Sequence, residues 1–147
     1  METMTQKSTE NQTSRFAAAG LIGGLAGGLV FGAMMGMMGM FPAIAGLVGS
    51  DSPVVGFFVH IAISLFIGLT FGLLFGGRSR TYGTAAGWGL LYGAIWWVLG
   101  PLVIMPSMMG MGLQFGAALT GPMLLSLVGH LVYGAVTGLV FAWYVQR

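Results

Sequence analysis

Four stretches of this chain, Phe16 to Met40, Pro53 to Gly76, Tyr82 to Met105 and Pro122 to Val145, contain no Asp, Glu, Lys or Arg. Each matches the ~20 apolar residues with which an α-helix crosses a ~30 Å hydrocarbon core. Inside lipid every backbone amide must find its partner within the chain, so uncharged runs of this length read as helices. Charged residues make up 5% of the sequence against 56% hydrophobic, too few to give a water-soluble domain a polar surface. The bilayer is therefore the solvent. The expected fold is all-α, a four-helix transmembrane bundle in a single domain over residues 16–147, preceded by a polar, disordered tail over residues 1–15.

The basic residues set an expected orientation. Lys7 and Arg15 precede the first run, Arg78 and Arg80 lie between the second and third, and Arg147 follows the fourth, so all five fall on one side. The positive-inside bias makes that side, with both termini, cytoplasmic, while the opposite connections carry only Asp51. The chain has no cysteine, which excludes disulfides, thiolate metal sites and thiol redox chemistry.

The runs read further as a tandem duplication of a helical hairpin. Gly28-Leu29-Val30-Phe31-Gly32-Ala33 resembles Gly89-Leu90-Leu91-Tyr92-Gly93-Ala94, and Met-Met-Gly-Met occurs at 37–40 and 108–111. A proline then enters the next run, Pro53 or Pro122, followed by the only two histidines, His60 and His130. The offset between copies grows along the chain, which places extra residues of the second copy around Trp96 to Ile104. Both copies start on the same side, so the duplication predicts a parallel repeat about an axis along the membrane normal.

Glycine spacing predicts how the helices associate. Gly20, Gly24, Gly28, Gly32 and Gly36 recur every four residues and form one small-residue ridge on the first helix. Ser64, Gly68 and Gly72 continue the theme in the second run, Gly89 and Gly93 in the third, and Gly134 and Gly138 in the fourth. One turn back from Ser64 and Gly134 lie His60 and His130, so each imidazole should face protein rather than lipid.

The polar groups within the runs are His60, His130, Ser64, Thr70, Ser126 and Thr137. The hydroxyls are expected to bond to their own backbone one turn earlier. An imidazole in lipid must find a partner, and two readings stay open for the pair: packing groups bonded to carbonyls, or ligands. As ligands they combine with the thioethers of Met34, Met37, Met38, Met108, Met109 and Met111 into a soft set suited to Cu(I), although methionine is also a flexible filler beside glycine-rich helices. Haem b between the two imidazoles is disfavoured, because propionates seek basic partners and every cation lies on the opposite side.

Enzyme chemistry finds no support in the motifs. There is no Ser-His-Asp set, carboxylate pair, His-Glu-x-x-His or phosphate-binding loop, and no nucleic-acid partner is expected. Leu90-Leu91-Tyr92-Gly93-Ala94-Ile95-Trp96-Trp97-Val98-Leu99-Gly100-Pro101 and Gly129-His130-Leu131-Val132-Tyr133-Gly134 resemble stretches of small, uncharacterised four-span prokaryotic membrane proteins with no assigned activity. The resemblance implies a prokaryotic plasma membrane and carries over no site residue. The leading expectation is a non-enzymatic, lipid-embedded helix-packing protein acting as a homodimer or within a larger membrane complex. Cu(I) binding or transfer is the alternative.

Overall fold

The computed structural model describes residues 2–147, with side chains from Ser8 onward. Helix α1 runs over Glu2–Met37, a short α2 over Phe41–Ala45, α3 over Pro53–Phe75, α4 over Tyr82–Trp97, α5 over Met105–Met108 and α6 over Gly121–Val145. A π-helical stretch, Val98–Ile104, joins α4 to α5 and makes them one continuous span. Four segments, Ser8–Met37, Pro53–Arg78, Tyr82–Met108 and Gly121–Val145, are long and apolar enough to cross a membrane, as expected.

Local sequence explains the boundaries. Thr81 and Thr84 form a reciprocal cap at the start of α4, each hydroxyl accepting from the other's backbone N–H at 3.2 Å. Pro53 and Pro122 occupy first-turn positions of α3 and α6, where a missing N–H costs nothing. Helix α1 stops at Met37 rather than Met40 because Gly39 turns into the left-handed region at φ +66°. Its start also departs from expectation. Residues Ser8–Arg15, read as part of a disordered tail, extend α1 as exposed helix. Adding turns to an existing helix avoids the nucleation cost, and the Thr13 and Ser14 hydroxyls bond back to the carbonyls of Thr9 and Asn11.

The prolines of the third span explain its irregularity. Pro101 has no N–H for the carbonyl of Trp97, and the helix widens there, so that Met105 N–H reaches back five residues to the Gly100 carbonyl. Pro106 likewise cannot serve the Leu102 carbonyl, which instead accepts from Gln114 N–H at 2.9 Å and draws the following loop back onto the helix end.

Packing is antiparallel between sequence neighbours and rests on glycine at three of its four sides. Between α1 and α3, a Cβ on Gly24 would lie 2.7 Å from Gly68 Cα, and one on Gly28 would lie 2.6 Å from Ser64 Cβ. Gly20 meets the Gly68 carbonyl and Gly72 in the same row. Between α4 and α6, Gly89 and Gly93 lie against the carbonyls of Gly134 and His130, and Gly138 against that of Ala85. Between α1 and α6, Gly23 and Gly27 would place a Cβ 2.6 Å from the Thr137 carbonyl and 2.7 Å from that of Tyr133. The fourth side, α3 against α4, is held apart by rings: Phe75 on Trp88 at 5.1 Å, Phe71 on Tyr92 at 5.7 Å and Phe66 on Trp96 at 6.3 Å. Phe71 and Phe141, both fully buried, meet edge to face at 5.6 Å in the core.

Gly24→Leu should therefore destabilise the bundle by about 3 kcal/mol or more, since only backbone movement can make room. Gly87→Ala, at a position with nothing within 4 Å, should leave it unchanged or slightly more stable. Thermal melting in detergent, followed by tryptophan fluorescence, checks both.

Candidate functional site

In the half of the bundle away from the termini, a polar layer centres on Phe31, whose ring both imidazoles touch. His60 from α3 packs edge-on to it at 5.6 Å and His130 from α6 at 4.9 Å. Gly129 makes this possible, because a Cβ there would lie 2.7 Å from Phe31 Cδ2. Gly32 performs the same service for His60, whose Cδ2 would be 3.3 Å from a Cβ at that position.

Each imidazole is anchored by a carbonyl, and the two anchors differ. His60 Nε2–H donates across the helix interface to the Gly28 carbonyl at 2.9 Å. His130 Nδ1–H donates within its own helix to the Ser126 carbonyl at 2.8 Å. A carbonyl can only accept, so neutral His60 carries its proton on Nε2 and neutral His130 on Nδ1. The remaining lone pairs are therefore on different atoms, Nδ1 of His60 and Nε2 of His130, the latter 3.9 Å from where Gly100 would carry a Cβ. No direct hydrogen bond joins the two rings.

The methionines do not gather on this layer. Met34 is half-buried against the core, whereas Met37, Met38, Met108, Met109 and Met111 are exposed beyond it, Met37 to 82%. Met109 lies at the far end against the turn that follows α2, its Cε 3.6 Å from the Cβ position of Gly46. Among the described residues no methionine sulfur hydrogen-bonds to either imidazole, and no group of three or more His, Cys, Asp or Glu is placed to hold a metal ion. The thioether that does enter the core belongs to Met35, 5% exposed, which spacing alone had not singled out.

Of the predicted packing glycines, Gly20, Gly24, Gly28, Gly68, Gly72, Gly89, Gly93, Gly134 and Gly138 sit at helix crossings. Gly32 faces His60, and Gly36, exposed, meets only the Phe41 ring at 3.3 Å. The sequence reading missed the second row of α1, Gly23 and Gly27, although the adjacent pairs Gly23-Gly24 and Gly27-Gly28 at four-residue spacing carry that signal. It also missed Tyr133. Buried on α6, this side chain passes Gly27 and donates its hydroxyl to the Ser64 carbonyl of α3 at 2.6 Å, joining two helices across the first. A second tie of the same kind, Thr70 Oγ1 to Tyr92 Oη at 2.6 Å, links α3 to α4.

Compared with protein-family models, with curated proteins and with solved structures, the chain matches none. Its chemistry is therefore read from its own geometry: His60, Tyr133 and Thr70 tie helix to helix, whereas His130 bonds within its own helix.

Tyr133→Phe should cost about 1 kcal/mol of stability, the usual scale of an interhelical hydrogen bond in a membrane. His60→Gln, which retains an N–H donor, should cost less than His60→Leu, which removes it. Detergent unfolding curves of the three variants distinguish these outcomes.

Proposed function

We propose that this protein is a non-catalytic membrane component, a four-span packing unit that works as a homodimer or within a larger complex. The observation carrying this reading is that both imidazoles, Tyr133 and Thr70 are engaged by the bundle's own helices, which supports a structural role for these four groups. The glycine ridge of α1 is occupied inside the protomer and is not the association surface. Gly83 and Gly87 on α4 are one helical turn apart, exposed, with nothing within 4 Å of either, and form a small-residue row left open toward the bilayer.

The distribution of arginine and lysine supports a cytoplasmic location for both termini, and the four-span resemblance supports a prokaryotic plasma membrane. We also propose that the two hairpins are a tandem duplication, a reading that rests on the collinear sequence matches; each histidine helix packs on a glycine row of the helix before it.

Crosslinking in native membranes, followed by sizing in mild detergent, tests the proposal. Gly83→Leu with Gly87→Leu should reduce association at least fivefold while the melting midpoint stays within a few degrees of the parent. Gly28→Leu should instead unfold the protomer. A chain that is monomeric and captures no membrane partner would sink the reading. So would stoichiometric Cu(I) that is lost when both histidines are replaced.

A further inference from the structure

At the end of the bundle that carries both termini, a cleft of about 390 Å³ is lined by Asn11, Gln12, Arg15, Phe16, Arg80 and Val145. Three elements build it: the extension of α1 beyond its apolar run, the turn between α3 and α4, and the last turn of α6. We propose that this cleft binds the phosphate of an anionic phospholipid, with Arg15 and Arg80 as its cationic walls.

Neither charge is paired. Among the described residues no carboxylate forms an ion pair with Arg15 or Arg80: Glu10, beside Asn11 on α1, is not part of the lining, and Asp51 lies at the opposite end of the bundle. Two arginines lining one cleft make it cationic, and the planar guanidinium fork matches phosphate oxygens. Arg80 is also positioned in advance. Its guanidinium lies over the Phe16 ring at 5.9 Å, and its backbone carbonyl accepts from Gln146 Nε2 at 3.0 Å, which fixes the turn against the end of α6.

The surroundings point to a lipid source. Phe16 begins the uncharged run of α1 and Val145 ends that of α6, so the floor of the cleft lies where hydrocarbon gives way to headgroups. Asn11 and Gln12 supply amide donors on the water side, while the apolar floor suits the glycerol and upper acyl chain of a lipid. A freely diffusing phosphate gains nothing from that floor. Arg147 lies over the Trp143 ring at 3.8 Å and, like Arg78, is not part of the lining. These two residues therefore provide charge-matched controls.

The full chain in dodecyl maltoside is mixed with equal amounts of phosphatidylglycerol and phosphatidylcholine, and bound lipid is measured by native mass spectrometry. Retention of phosphatidylglycerol over phosphatidylcholine is expected. Arg15→Gln or Arg80→Gln should weaken phosphatidylglycerol about fivefold each, and the pair about thirtyfold, on the scale of one basic residue at an anionic surface. Arg78→Gln should change it less than twofold. Equal retention of the two lipids by the parent chain overturns the proposal, and this arm needs no variant to fold. Equal loss in Arg78→Gln and Arg80→Gln overturns it in favour of diffuse surface charge. Competition by millimolar inorganic phosphate as effective as by the lipid overturns the lipid assignment.

Discussion

Close approach of helix backbones without intervening side chains is the constraint on which this structure depends. Lipid is as apolar as leucine, so no hydrophobic force drives one spanning helix against another, and cohesion must come from dispersion contacts, weak Cα–H contacts and a few hydrogen bonds. Those contacts gain strength only when the backbones nearly touch. Gly24 against Gly68 and Gly89 against Gly134 bring the chains to that distance, where a single methyl group would collide. The aromatic side between α3 and α4 then fills the space that remains once the three tight interfaces are set.

The same economy governs the polar groups. The Tyr133 hydroxyl reaches the Ser64 carbonyl because Gly27 leaves a passage over α1, and Phe31 touches both imidazoles because Gly129 yields room for its ring. Absence of a side chain at one residue thus sets the reach of a side chain at another. Opposite tautomers at His60 and His130 follow from the choice of carbonyl, one across an interface and one within a helix. The two histidines therefore differ in local chemistry.

Much of the fold was legible in the residues. Uncharged run lengths located all four spans, and four-residue glycine spacing marked small-residue rows on them, since both signals act locally on a helix of fixed pitch. What escaped was anything decided by the relative rotation of two helices. The α1–α6 contact uses a second glycine row that pattern counting merged with the first. The methionines of the far end looked like a cluster in sequence, yet Met37, Met38, Met108, Met109 and Met111 are exposed. The polar start of α1 is helical for another reason: its helicity is propagated from the span behind it, and composition carries no trace of that.

The central place of α1 has a consequence for biogenesis. This helix is translated first, yet its two glycine faces are covered by α3 and α6, separated in the chain by the whole of α4. One face can close as soon as the first hairpin has left the insertion machinery. The other stays bare until the last residues of the domain are made. The α4–α6 contacts are nearer in sequence than those between α1 and α6, so the α1–α6 interface is the seam at which one hairpin meets the other.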